Sequence, residues 1–305
     1  MVLLLDKKFL ALLLDGRKVK LRSMSLFTGR KSDSLNQVVF CLARGYSGIR
    51  IIKYFKLCVR NMCAASAIGD DRKRYHFIVF HEGDITTTQQ RIIKLFSLNP
   101  RLFFVDVASE FKVSSDLYPP RNEPGYVYMC RFSYFGVWSY LEQYRTAIRV
   151  DDDVFLLSLK NSKLESVFDY AYISDETHEA TNRSLVKYLA DRGIENLYDH
   201  KFPYTNFYIT NPQFWLRQEV QDFLLEVYQM QVGVDDRWGD ATVLGVALKY
   251  FGVWDRTNLR NDVAYLHLSH KSIVNSGVNS SIYSVIRERF PKLAMALRFF
   301  YYLFK

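Results

Sequence analysis

The feature that most limits what this chain can become is its alternation of short apolar runs with longer amphipathic ones. Val38-Val39-Phe40-Cys41-Leu42-Ala43 is an apolar run of strand length, and Arg44-Gly45-Tyr46 follows it as a turn. From Ile49 to Met62 apolar residues recur at helical spacing. The pattern then repeats. Tyr75–Phe80 reads as a strand, His81-Glu82-Gly83-Asp84 as a turn, and Thr86–Ser97 as a helix opened by threonines. Leu102–Val107, Thr146–Val150, Tyr170–Ile173 and Thr205–Ile209 read as further strands; Gly136–Tyr144, Gln213–Val232 and Ala241–Tyr250 read as helices. Strands alternating with helices predict an α/β fold with a mostly parallel central sheet flanked by helices. Ligands of such sheets bind at the carboxyl ends of the strands.

The 305 residues, 49% of them hydrophobic, suffice for one large domain. The pattern divides the chain into an N-terminal arm (1–36), one nucleotide-binding domain (37–272) and a basic, aromatic C-terminal tail (273–305). In the arm, Asp6, Lys7 and Lys8 interrupt an apolar run too short to span a bilayer, which takes about 20 apolar residues. The same charges make it a poor secretory signal. An amphipathic anchor and an element packed on the domain both remain open for it. In the tail, Arg287, Arg289, Lys292, Arg298 and Lys305 alternate with residues such as Phe290, Phe299, Tyr301 and Phe304. Such a segment either lies in a membrane interface, giving peripheral membrane contact, or docks as a final helix. The cysteines show neither a disulfide framework nor zinc spacing, which favours reducing surroundings and a cytoplasmic or membrane-associated chain. The net charge of +9 admits a phosphorylated substrate, an anionic membrane or nucleic acid. Without zinc-finger spacing or an RNA-binding aromatic pattern, nucleic acid ranks last.

The strongest chemical signal is Arg149-Val150-Asp151-Asp152-Asp153-Val154, three carboxylates delivered by a strand to a turn. In an extended segment, Asp151 and Asp153 share a face. Carboxylates that converge there repel unless a cation lies between them, and a divalent ion so held can also grip a diphosphate. A solvated acidic turn is the plainer alternative. Tyr265-Leu266-His267 offers a further ligand, and imidazole with carboxylates suits Mn2+ better than Mg2+. A second acidic element, Asp235-Asp236-Arg237-Trp238-Gly239-Asp240, precedes a helical run. Asp240 there is either a helix cap or a carboxylate placed to take a proton or hydrogen bond from an acceptor hydroxyl. Trp238 offers a flat wall to a sugar.

Four blocks together resemble the fungal Golgi α-1,2-mannosyltransferases. Gly125-Tyr126-Val127-Tyr128-Met129-Cys130-Arg131-Phe132 is similar to that family's Tyr-x-x-Met-Cys-Arg-Phe, and Arg149–Val154 to its Arg-Val-Glu-Pro-Asp-Val. Arg237-Trp238-Gly239-Asp240-Ala241 matches Arg-Trp-Gly-Asp-Ala, and Tyr265-Leu266-His267 resembles Gly-Tyr-Gln-His. The blocks keep the family's order over residues 75–270. The resemblance implies a GT-A fold, Mn2+, a nucleotide-sugar donor such as GDP-mannose, and a glycan or glycoprotein acceptor. It puts Asp151 at the metal-binding carboxylate, His267 at the metal-binding histidine and Tyr126 in the donor site. Arg131 either neutralises phosphate or pairs with a carboxylate beneath the site. Arg44 is either a diphosphate contact or a surface arginine.

The chain also departs from the family. Asp151-Asp152-Asp153 replaces Glu-Pro-Asp. In Asn206-Phe207-Tyr208-Ile209, Tyr208 stands where the family has the Glu proposed as nucleophile or front-face stabiliser. A phenol, with an unperturbed pKa of about 10, is a poor substitute, so retention of configuration does not carry over. The expectation is a divergent member: a glycosyltransferase with Asp151, Asp153 and His267 on Mn2+ and Asp240 facing the acceptor. A metal-dependent nucleotide-sugar hydrolase or phosphotransferase and a non-catalytic sugar-binding relative are the alternatives.

Overall fold

The structure is a computed structural model that describes residues 37–46, 51–69, 74–97, 99–111, 124–160, 170–172, 175–177, 183–194, 201–231, 238–253, 262–267 and 272–274. The arm and residues 275–305 of the tail lie outside the described residues, as do Asp235, Asp236 and Arg237. No helix among the described residues is long and apolar enough to cross a membrane.

The central sheet grows from β1 (Gln37–Ala43), whose apolar run is buried along most of its length. β1 pairs in parallel with β2 (Tyr75–His81) on one side and β4 (Thr146–Val150) on the other. β3 (Leu102–Asp106) extends the parallel set beyond β2. β9 (Phe207–Thr210) runs antiparallel to β4 and carries β6 (Tyr170–Tyr172) at the far edge. The six-stranded order is therefore β3-β2-β1-β4-β9-β6, the mostly parallel sheet that the alternation predicts. A second, antiparallel sheet holds β5 (Val154–Leu159), β10 (Val263–His267) and β11 (Ser272–Val274) in the order β11-β10-β5. A third pairs β7 (Asp175–Thr177) with β8 (Lys201–Pro203).

Alternating side chains of β1 feed two cores. Val39, Cys41 and Ala43 join the cluster formed with α1 (Ile51–Ile68), while Val38 and Phe40 join a larger one on the other face. That face is covered by α3 (Pro124–Tyr134), α6 (Gln218–Gln231) and α7 (Asp240–Tyr250), with α4 (Arg183–Ala190) and α5 (Pro212–Trp215) alongside. α2 (Thr87–Ser97) opens with a capping box: Thr86 N–H donates to Gln89 Oε1 at 2.7 Å, and Gln89 N–H to Thr86 Oγ1 at 3.4 Å.

Two predicted helices differ. The run from Gly136 is a 3-10 helix over Gly136–Tyr140, continued by the turn bonds Leu141 N–H to Trp138 O and Tyr144 N–H to Leu141 O. The run from Gln213 is broken into α5 and α6 after Trp215. Trp215 stacks on Trp138 with ring centroids 5.0 Å apart and donates Nε1–H to Thr210 Oγ1 at 2.8 Å. Anchoring that indole in the core outweighs the continuous helical periodicity around it.

Candidate active site

β4 ends at Val150, and Asp151, Asp152 and Asp153 form the link to β5 at the carboxyl end of the central strands. The segment is a tight turn rather than an extended one, because Val154 N–H donates back to Asp151 O at 3.1 Å. Three further bonds pin it. Asp151 N–H donates to Asn206 O at 3.0 Å. Arg60 of α1 donates Nε–H to Asp151 O at 2.9 Å and Nη2–H to Val150 O at 2.5 Å. Arg60 is only 1% exposed, so a buried cation stands beneath the three carboxylates.

The turn sends its carboxylates in different directions. Asp153 Oδ2 lies 3.3 Å from His267 Nε2. The register brings them together, since His267 at the end of β10 pairs with Val154, the residue after Asp153. On the other side of the ring, His267 Nδ1 lies 3.2 Å from the Tyr204 hydroxyl and 3.3 Å from Asn206 Nδ2. Tyr265, two residues before His267 and so on the same face of β10, donates its hydroxyl to Asn206 Oδ1 at 3.1 Å.

Asp151 turns instead to Arg149, whose Nε–H donates to Asp151 Oδ1 at 3.0 Å. Arg149 Nη1–H donates to Asp240 Oδ2 at 2.7 Å, so one guanidinium bridges the two acidic elements. Burial works against the charge of Arg149, but the carboxylates of Asp151 and Asp240 outweigh it and hold the pKa well above the usual value. Burial raises the pKa of Asp151, and burial followed by the charges of Asp151 and Asp153 raises that of Asp152 to about 6. Carboxylates held this way stand to gain from a cation.

No three His, Cys, Asp or Glu side chains gather in metal-binding geometry among the described residues. The three-ligand expectation meets a difference at Asp151, which is engaged by Arg149. The remaining pair fits a cation. Neighbouring ligands of an octahedral ion, each about 2.1 Å from it, stand about 3 Å apart, and Asp153 Oδ2 and His267 Nε2 are 3.3 Å apart. A carboxylate with an imidazole is also a donor set that Mn2+ accepts. An ion seated there would take its other ligands from diphosphate oxygens and water.

The remaining candidates are placed as follows. Gly239, not Asp240, is the N-cap of α7; Asp240 is its first residue, 8% exposed and tied to Arg149, which replaces the capping alternative. Tyr126, on the first turn of α3, is 36% exposed. Its hydroxyl lies 3.5 Å from where a Cβ of Gly239 would stand, which places it in contact range of the start of α7. Arg44 leaves β1 paired with Glu82 and lies over the Phe111 ring, 5.6 Å from its centre. Its Nη2 is 2.8 Å from where a Cβ of Gly125 would be, at the start of α3.

The Trp238 expectation is corrected, and the structure shows the surroundings of Arg131 and Tyr208. Arg131 is buried, with Nη1 3.3 Å from Glu110 Oε2 and its guanidinium 4.9 Å from the centre of the Tyr228 ring. It pairs with a carboxylate inside the fold, the second of the two alternatives stated for it. Trp238 is 1% exposed and packs near Tyr188, so it is core and not a sugar-facing wall. Tyr208 is fully buried, and its ring lies under Arg149 at 5.7 Å. Burial pushes its hydroxyl pKa above the usual value. Tyr208 therefore supports the bridging arginine and presents no group to a substrate.

Sequence reasoning missed Arg60, Tyr204 and the side chain of Asn206. A lone arginine inside Leu57-Cys58-Val59-Arg60-Asn61-Met62-Cys63 was the signal for the first, since an ion on an apolar helix face needs a buried partner. Nothing in the sequence indicates that Asn206 would meet His267 from another sheet.

A parallel sheet centred on β1, reversed at β9, with an acidic turn leading into a small antiparallel sheet, is the GT-A fold of glycosyltransferases. Among solved structures it is similar to core-mannan synthase A of Aspergillus fumigatus in its Mn/GDP form, with a TM-score of 0.58 and 14% identity over 79% of this chain and 77% of that one. It is similar also to the mannosyltransferase Ktr4p of Saccharomyces cerevisiae, with a TM-score of 0.57 and 14% identity over 92% of this chain and 91% of that one. The same yeast enzyme in complex with GDP gives a TM-score of 0.58 at 13% identity. What the chains share at such identity is the fold. No protein-family model matches the sequence, and no curated protein does.

Proposed function

We propose that this chain is a metal-dependent glycosyltransferase that moves a hexose from a nucleotide-sugar to a hydroxyl of a glycan or glycoprotein. The observation that carries the proposal is the convergence of Asp153 and His267, 3.3 Å apart, at the carboxyl end of a GT-A sheet. Mannose and GDP are the first donor parts to test, because the solved counterparts are mannosyltransferases seen with GDP. Asp153 and His267 would hold a divalent cation such as Mn2+ at this corner, and its positive charge would stabilise a departing diphosphate more than the intact donor.

The chain's own residues do the rest. Arg149 holds Asp151 and Asp240 in a fixed relation and neutralises charge that would otherwise repel a diphosphate. Asp240 shares one oxygen with Arg149; its carboxylate would accept a hydrogen bond, and then the proton, of the acceptor hydroxyl. Tyr126, beside Gly239, would form part of the donor wall, and Arg44 at the end of β1 would contact the diphosphate.

The test is a panel of nucleotide-sugars with a saccharide acceptor, in Mn2+ and in chelator. Transfer should need the metal, and Asp153→Asn and His267→Ala should each lower it at least ~100-fold in folded protein, about the loss seen when the groups supporting metal ligands are removed. Transfer that survives both substitutions and the chelator removes this site. Release of sugar to water alone, unchanged by any acceptor, would favour a hydrolase.

A further inference from the structure

Asn206 is 2% exposed and sits between the two sheets at the start of β9. Its carbonyl oxygen holds the acidic turn through Asp151 N–H at 3.0 Å. Its side-chain amide connects the Tyr265 hydroxyl, at 3.1 Å from Oδ1, to His267 Nδ1, at 3.3 Å from Nδ2. The amide in this orientation goes with one histidine tautomer. An amide N–H that donates to Nδ1 needs a lone pair there, so the neutral ring carries its proton on Nε2. Nε2–H then faces Asp153 Oδ2, 3.3 Å away. A ring in that form has no lone pair to offer a cation on the Asp153 side.

We propose that Asn206 is a positioning residue that couples the tautomer of His267 to occupancy of the corner between Asp153 and His267. This rests on the cation site proposed above. With a cation present, Nε2 must offer its lone pair and the proton must sit on Nδ1. Nδ1–H cannot face Asn206 Nδ2–H at 3.3 Å, because two donors would then meet. The amide turns over, Oδ1 accepts from Nδ1–H, and Nδ2–H donates to the Tyr265 oxygen. The Tyr204 hydroxyl, 3.2 Å from Nδ1, serves as acceptor or donor in either state. No proton is gained or lost overall. The ring exchanges which nitrogen carries it, and the amide exchanges which end faces the ring. The hydrogen bond between Asn206 and His267 persists in both states with its direction reversed, while the Tyr265 hydroxyl changes from donor to acceptor toward the amide.

Long-range proton–nitrogen NMR of the His267 ring tests this directly, using Zn2+ alone as a diamagnetic probe. The metal-free wild type should show a proton on Nε2, and Zn2+ should move it to Nδ1. Asn206→Asp keeps the shape but can only accept, so its metal-free ring should already carry the proton on Nδ1. Mn2+ should bind that variant about tenfold tighter by electron paramagnetic resonance, a size typical of changes to such supporting groups. Added negative charge alone would raise affinity without changing the metal-free tautomer, so the ring spectrum decides. Tyr265→Phe removes only the hydroxyl that holds Oδ1, and its metal-free ring should populate both tautomers. Identical metal-free rings in wild type and both variants, with Zn2+ still on Nε2, overturn the relay alone. A wild-type ring that Zn2+ leaves unmoved overturns the cation site and the relay with it.

Discussion

Arg149 decides what the acidic turn can do. It lies at the end of β4, 8% exposed, with Asp151 on Nε and Asp240 on Nη1. Removing one partner of a buried ionic group leaves the others uncompensated, which costs about 3–5 kcal/mol. Arg149→Met should therefore lower stability by an amount of that order, measured by urea unfolding, whereas a surface arginine would change it little. Asp152 behaves in the opposite sense. Burial and its two acidic neighbours raise its pKa to about 6 from an ordinary 3.8, so its ionised form is disfavoured in the folded chain. Below the ordinary value both states are protonated and no penalty exists; above the raised value the penalty is complete. Asp152→Asn should hence make the metal-free protein more stable at pH 8, and the gain should shrink as pH falls from about 6 to about 4. A gain that is constant across that window would contradict the raised pKa.

At the scale of elements, close packing fixes α7 against β8. A Cβ on Gly245 would stand 2.5 Å from Phe202 Cδ1 and 3.0 Å from Pro203 Cδ. Overpacking of this kind costs about 1–3 kcal/mol, against about 1 kcal/mol gained in helix propensity. Gly245→Ala should lower thermal stability, and an unchanged midpoint would show that β8 yields. Much at this scale was legible in the sequence. The runs that became β1 and β2 are largely apolar on both faces, as strands covered on both sides must be, and Thr86 and Gln89 mark the start of α2. The acidic turn was legible too, because three adjacent aspartates cannot continue a strand that is buried on both faces. What was not legible depends on contacts between distant segments. The register of β10 on β5 puts His267 beside Asp153, and the register of β9 on β4 puts Tyr208 against Arg149, so the tyrosine becomes a support. Arg131 and Trp238 fall in blocks of the family resemblance, yet neither position along the chain tells which way a side chain faces; both face the core.

For the whole molecule, the central sheet delivers an acidic turn and the small second sheet delivers a histidine, so the candidate site exists only where the two meet. The fold is shared with the Aspergillus and yeast enzymes at 14% identity, so one backbone arrangement accommodates widely different side chains. The side chains at this corner must then account for whatever chemistry the chain performs. The most direct measurement is anomalous diffraction at the manganese edge from crystals grown with Mn2+ and GDP. A single strong peak about 2.2 Å from both Asp153 Oδ2 and His267 Nε2, with diphosphate oxygens completing the shell, is the predicted result. Bound GDP with no peak at this corner, and with Asp153 and His267 still in direct contact, would contradict it.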